Sequence, residues 1–382
     1  MLDLCVVVTH PFRNQYPNLL TYTSEESSVR ECAQKSTLTV AEMLPTEHFQ
    51  SHYSSLLTRL ANKEWFTART SACTLIAEAF SKLTSEQQEL HLAHFSQLCR
   101  DEVPMVRRVA AQYLGKMLIS VVDVKGSRAI GPDGMLTTTM LPLYEELAGH
   151  DQPDSVRLHT AENCIAFGEG VTKVQESGES DELSTAAADV LVKRILPLIV
   201  ATIDDRSWRV RWTAASKFAP VVQSFSKLDG ALDSLIPAFE KLLQDPEAEV
   251  RTAATLNLAE VAKCDGSVIS PAVNQNDENN TPRISVAKRL VKKITILTED
   301  ESENVRAALA MVATELAPTL GKTATIADLV PPVLLLLRDS TSEVRLNVIS
   351  SLGALNEVIG VDLLSQSLLP AILDLAQDGK WR

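Results

Sequence analysis

The sequence predicts an all-α solenoid of about eight stacked helix pairs with a partial ninth, and three observations predict it. The first is a motif, an acidic residue followed six positions later by an Arg that has Val before it. It stands at Asp101/Arg107, Asp151/Arg157, Asp205/Arg211, Asp245/Arg251, Asp300/Arg306 and Asp339/Arg345, with looser copies ending at Arg30 and Arg69. The second is period. Successive motif arginines lie 39, 38, 50, 54, 40, 55 and 39 residues apart, so the unit is near 39 residues and the longer gaps carry insertions. The third is an independent ruler: Pro197, Pro237 and Pro331 precede their Arg by 14 residues and Pro142 by 15. A repeat of about 40 residues holding two helices is the signature of the HEAT/armadillo class.

The rulers set the elements in order. Repeats are expected near 19–46, 49–84, 88–123, 135–174, 184–228, 231–265, 283–321 and 324–361, with a partial unit at 363–382. Asp378 and Pro370 both point to a next Arg at position 384, so that last unit reads as cut short. Residues 1–18 form a divergent segment, and 124–134, 175–182 and 266–283 are inserted loops rich in Gly, Pro, Ser, Asn and acids. In each unit the Pro is expected in the first turn of helix A, where its missing N–H costs nothing. The acid should close the turn and cap helix B. The Arg then sits where a positive charge opposes the helix dipole, so it needs a partner, and the carboxylate of an adjacent turn is the candidate. Asp101, Asp151, Asp205, Asp245, Asp300 and Asp339 with Arg157, Arg211, Arg251, Arg306 and Arg345 make up this expected ladder. Small residues after the Arg, such as Ala72, Ala110, Ala161, Ala214, Ala254 and Ala310, let successive B helices approach closely.

Composition excludes several function classes. The net charge of −13 argues against nucleic acid or an anionic membrane as the main partner. No run of 18 apolar residues is evident, so no membrane span is expected. Six cysteines without CxxC spacing or regular pairing read as reduced thiols of a cytosolic or nuclear protein. No His-Glu dipeptide, GxSxG, Walker-type loop, GxGxxG or HExxH is present, so neither a catalytic constellation nor a cofactor or metal is expected. His48/His52 and His91/His94 have helical ligand spacing but are expected to be solvent-facing helix positions.

What remains is surface. The turns carry Trp65 and Phe66, Pro104 and Met105, Pro153 and Asp154, Trp208 and Arg209, and Trp381 and Arg382, residues that a purely structural bend does not require. The turns keep constant length while the insertions fall on the opposite edge, which predicts that the turn edge binds protein.

The segments DRSWRVRWTAASKF (205–218), DPEAEVRTAA (245–254), EWFTARTSACTL (64–75), VPMVRRVAA (103–111) and EVRLNVISSLGALNEVIGVDLLSQSLLPAILDLAQDGKWR (343–382) closely resemble the scaffold (A, 65 kDa regulatory) subunits of protein phosphatase 2A. The resemblance runs from about residue 19 onward. It implies a HEAT superhelix whose turns form a binding ridge, with regulatory B subunits held by earlier repeats and the catalytic C subunit by later ones. It further implies that Trp65, Phe66, Pro104, Met105, Arg107, Arg108, Asp154, Ser155, Trp208 and Arg209 face a regulatory subunit, and that Trp381 and Arg382 open the catalytic-subunit surface. The expected function is a non-catalytic scaffold bridging the two. Charge reversal at Arg209 and Arg211 is expected to weaken regulatory-subunit capture without unfolding. Exposed apolar positions at Leu368, Leu369, Ile372 and Leu375 are expected to favour self-association. Rival readings are a karyopherin-like cargo adaptor, whose acidic inner face would take basic peptides, and a fragment that keeps only regulatory-subunit binding.

Overall fold

The computed structural model describes residues 22, 24, 26–130, 133–176, 185, 188–264, 266–269, 283–361 and 365–366. The chain divides into two compact units, Met1–Leu198 and Ile199–Arg382. Of the partial ninth repeat only 365–366 are described; Trp381, Arg382 and the apolar row from Leu368 to Leu375 lie outside the described residues, as do residues 1–18.

In the first unit the helices are α1 (Ser27–Met43), α2 (Thr46–Ala61), α3 (Phe66–Ala79), α4 (Ser85–Cys99), α5 (Pro104–Lys125), α6 (Leu141–Ala148), α7 (Asp154–Arg157) and α8 (Thr160–Glu176), with α9 (Leu196–Thr202) at the boundary. The motif helices form one layer, α1 on α3, α3 on α5 and α5 on α8, while α2 packs on α4 in the other. Leu57, Leu60, Phe80, Phe95 and Leu114 are fully buried between the layers. Each such side chain contributes roughly 2–3 kcal/mol of apolar burial. α4 begins with a capping box, Thr84 accepting from the Gln87 N–H and Gln87 from that of Thr84.

The second unit repeats the scheme. It holds α10 (Trp208–Ser216), α11 (Phe218–Phe225), α12 (Ala231–Leu242), α13 (Ala248–Leu256), α14 (Leu258–Ala262), α15 (Val286–Leu297), α16 (Glu303–Val312), α17 (Ala317–Ala324), α18 (Val330–Leu337) and α19 (Ser342–Ile359). Here α10, α13, α16 and α19 stack in sequence. The inserted loop at 266–283 is anchored by a small antiparallel ribbon, β1 (Ser267–Ile269) with β2 (Arg283–Ser285), rather than being wholly irregular. Arg289 pins it, donating to both carboxylate oxygens of Glu240 at 2.9 Å and to the Ile269 carbonyl at 3.0 Å.

Two expectations are refined. Pro142, Pro197 and Pro331 fall in the first turn of α6, α9 and α18, as expected, but those turns do not start from coil. A wide π turn precedes them at Leu136–Met140, Leu191–Ile195 and Thr325–Leu329, directly before Pro142, Pro197 and Pro331, and Pro237 lies inside α12. The wider turn accommodates the clash of the ring with an earlier carbonyl and the missing donor, so the helix passes through the Pro. The second concerns membranes: Glu303–Leu337 is long and apolar enough to span one by length and composition alone. It folds as α16, α17 and α18 with intervening turns, and α16 packs between α13 and α19, so side chains such as Val305, Leu309, Leu316, Val333 and Leu337 serve the repeat core.

Candidate functional site

The turn edge is built by two uses of each motif residue. The aspartate Oδ1 accepts the N–H two residues on: Asp101 from Val103 at 2.9 Å, Asp205 from Ser207 at 2.8 Å, Asp245 from Glu247 at 2.9 Å, Asp300 from Ser302 at 2.9 Å and Asp339 from Thr341 at 2.8 Å. This bond closes the turn at the residue that precedes helix B. The carboxylate therefore fixes the approach to the helix rather than capping its first N–H groups, which corrects the expected role. The Arg guanidinium then does the capping in reverse, donating to the carbonyl of its own turn. Nη1 reaches Asp101 O from Arg107 at 2.7 Å, Asp205 O from Arg211 at 2.8 Å, Asp245 O from Arg251 at 2.8 Å, Asp300 O from Arg306 at 2.7 Å and Asp339 O from Arg345 at 2.7 Å.

The rest of the guanidinium reaches the next turn. In the first unit Arg69 forks onto Asp101 at 2.6 and 2.9 Å. In the second, Arg211 forks onto Asp245 at 2.6 and 3.0 Å, Arg251 onto Asp300 at 2.8 and 2.9 Å, and Arg306 onto Asp339 at 2.6 and 3.3 Å. Hydrogen bonds to these carboxylates raise the pKa of all four arginines. Burial pushes the Asp339 carboxyl up, but Arg306 and the Thr341 N–H outweigh it and hold its pKa below the ordinary value. Such planar two-bond pairs fix rotation as well as distance.

Asp151 is the exception and is corrected. It is exposed, and Arg107 Nε instead donates to Gln152 Oε1 at 2.9 Å. The residue two positions after Asp151 is Pro153, which has no N–H to offer. Without that bond the carboxylate is not turned toward the arginine of the repeat before. Arg157 is nevertheless buried, 2% exposed, and donates to the Gln152 carbonyl. Because Arg211 belongs to the ladder, reversing its charge would break a nearly buried pair; the expectation that an Arg209/Arg211 double reversal spares the fold is withdrawn.

On this frame the turn residues face outward. In the first unit Trp65 is 64% exposed, Phe66 38% and Met105 46%, with Pro104 and Arg108 also exposed; Arg107, Asp154 and Ser155 are half-buried. In the second unit Trp208 is 41% exposed and Arg209 lies over its ring at 5.8 Å. The sequence reading missed Trp212, 45% exposed and four residues on from Trp208, which shares its helix face. That spacing was the available signal.

A second set of ties was also missed. Asn163 Nδ2 donates to Ala111 O at 3.0 Å, Asn257 Nδ2 to Ala215 O at 3.1 Å, and Ser351 Oγ to Ala310 O at 3.1 Å. In each case the residue six after one motif Arg reaches the carbonyl four after the previous one. In α10 and α16 the helix breaks or tightens just beyond that carbonyl, leaving it short of a backbone donor.

The histidine pairs differ. His48 and His52 are exposed, but His91 and His94 are buried, which corrects their expected solvent-facing placement. His91 Nε2 lies 2.8 Å from Ser54 Oγ, and its Nδ1 lies 3.4 Å from that of His94. Burial, then the neighbouring His94, lowers the His91 pKa to about 4. Burial pushes the thiols of Cys73, Cys99 and Cys164 up, keeping them protonated and poorly nucleophilic. Among the described residues no group of three His, Cys, Asp or Glu is placed to hold a metal. The arrangement offers recognition surface.

Comparison with known proteins agrees with this reading of the fold. A family described as PPP2R1A-like HEAT repeat matches residues 231–321, and the HEAT repeat family matches 329–359. The beta isoform of the human 65 kDa regulatory A-type subunit of serine/threonine-protein phosphatase 2A is 34% identical over 337 residues, covering 88% of this chain and 49% of the relative. A Dictyostelium discoideum protein phosphatase 2A scaffold subunit is 39% identical over 92 residues, 24% of this chain and 16% of the relative. The chain thus spans about half the length of the human relative and less of the other. Among solved structures, a chain from a study of Kap95p binding to RanGDP superposes with a TM-score of 0.61 at 12% identity, over 95% of this chain and 43% of that one. Yeast importin-beta (Kap95p) follows at 0.53 and 12%, over 95% and 48%. At such identity these two likenesses concern the HEAT fold alone.

Proposed function

We infer that this chain, a HEAT-repeat protein homologous over most of its length to the 65 kDa regulatory A-type subunits of protein phosphatase 2A, is a non-catalytic scaffold of a Ser/Thr phosphatase assembly. It holds the regulatory and catalytic subunits on one frame, so that a bimolecular encounter becomes an intramolecular one at raised effective concentration. The observation that carries the reading is the exposure of Trp65, Phe66 and Met105, and of Trp208 with Arg209 over its ring, on turns that the guanidinium ladder holds rigid. Large apolar and arginine side chains on a preorganised support are what hot spots require. Its buried, protonated thiols fit a reducing compartment, cytosol or nucleus.

Trp208→Ala with Arg209→Glu tests it. Both residues are exposed and outside the ladder, so circular dichroism and the melting temperature should stay unchanged. Capture of a phosphatase 2A regulatory subunit in a quantitative pull-down should fall at least tenfold. Unchanged capture would remove these residues from the interface, and failure of the unaltered chain to capture either subunit would end the scaffold reading.

A further inference from the structure

The turn edge of the second unit changes chemistry after Trp208 and Arg209: Glu249 and Glu343 stand at the register of Arg209, two before the motif Arg, and Glu303 at that of Trp208, three before. Helices α13, α16 and α19 stack side by side, and each exposes an apolar side chain where the core needs none: Leu256 at 45%, Met311 at 52% and Leu346 at 53%. Each carries a first-turn glutamate on the same side, Glu249 seven residues before Leu256, Glu303 eight before Met311 and Glu343 three before Leu346. Those offsets all return to one helix face. Glu247 and Glu301 extend the acidic edge, and Glu301 is 90% exposed. The cations do not balance them. The only Lys or Arg on the three helices are Arg251, Arg306 and Arg345. Arg251 and Arg306 are committed to Asp300 and Asp339, and Arg345 is buried against the carbonyls of Asp339 and Ser340. Glu301 does lie 3.6 Å from Arg251, and Glu303 accepts from Thr341 at 3.4 Å.

The geometry points to a docking surface for a lysine- or arginine-rich amphipathic segment of a partner protein, its cations along the glutamate band and its apolar side chains on Leu256, Met311 and Leu346. Charge complementarity selects this occupant. A neutral apolar segment would desolvate the glutamate band with only Glu301 near a cation, and a second copy of this acidic chain would meet like charge. The proposal extends the protein-binding turn edge of the proposed function to these repeats, and its test needs no phosphatase subunit, so the two can fail separately. It also means that an acidic face of the kind a cargo adaptor needs is present here, although the sequence relatedness lies with scaffold subunits.

The test measures binding of a labelled 18-residue Leu/Lys amphipathic peptide to the full 382-residue chain by fluorescence anisotropy, at several salt concentrations. Glu249→Gln/Glu303→Gln/Glu343→Gln should weaken binding five- to tenfold and flatten its salt dependence. Leu256→Ser/Met311→Ser/Leu346→Ser should weaken it about tenfold. Both triples should keep the helical circular dichroism. A control triple in the first unit, Glu42→Gln/Glu86→Gln/Glu89→Gln, should bind as the unaltered chain does. The proposal is overturned if the control loses as much as the site variants, or if a Leu/Glu peptide binds equally well. It is also overturned if the serine triple leaves peptide affinity intact while abolishing concentration-dependent self-association, which would assign the face to a second copy.

Discussion

At the scale of single residues, the ladder depends on one backbone donor. Asp101 accepts the Val103 N–H and is thereby held for Arg69, whereas Asp151 precedes a proline at the equivalent position and turns to solvent. Asp101→Ala should therefore destabilise the first unit by about 3 kcal/mol, because it leaves a largely buried guanidinium without its anion. Asp151→Ala should stay within about 0.5 kcal/mol. Urea unfolding of both variants measures the contrast, and equal costs would mean that the carboxylates act by net charge rather than by geometry. The six strict copies of the motif made the ladder's residues readable from sequence. The exception was written there too, in Pro153, but became legible only once the N–H two residues on was seen to matter. Trp212 stands one residue after its motif Arg, as the expected site residue Arg108 does, but it was not grouped with the turn, and its four-residue distance from Trp208 is what marks its face.

At the scale of elements, period and helix pairing were readable because spacing reports them directly. The interior of each helix was not. A proline at a fixed offset gives its own position but does not say whether the chain starts there or threads through a π turn. The ties between successive motif helices were similarly hidden, since Asn163, Asn257 and Ser351 share an offset but not a residue type. Their effect is measurable. Asn257 donates to Ala215 O, Ser216 O and Ala253 O. Asn257→Asp keeps the shape, removes the donor and sets a negative charge against three carbonyl oxygens. The expected cost is about 2 kcal/mol, read as a lower urea midpoint at unchanged m-value. A loss below about 0.5 kcal/mol would show that water satisfies those carbonyls equally well.

At the scale of the whole molecule, titratable groups are unevenly distributed, and this yields a regional response to acid. All seven histidines lie before residue 199, so the second unit has none. Burial lowers the pKa of His91 to about 4 and also lowers those of His94 and His159. A histidine that folds in its neutral form binds fewer protons than the unfolded chain does between its native and its ordinary pKa, so stability falls as pH drops through that interval. For His91 the interval runs from 6.5 down to about 4, worth roughly 3 kcal/mol at its lower end. The resolved carboxyl shift in the second unit acts elsewhere. Asp339 is held below its ordinary 3.8, so the stability it supplies begins to be lost only near and below that value. In a stack whose repeats feel mainly their neighbours, the loss stays local. Hydrogen exchange followed by mass spectrometry at pH 7 and pH 4.5, corrected for intrinsic rates, should show α2 to α5 losing protection while α12 to α16 retain it. His91→Gln should remove most of the difference, because a neutral amide can keep the Ser54 contact without titrating. Parallel loss in both units, or a variant as acid-sensitive as the unaltered chain, would assign the response to carboxylates spread along the chain.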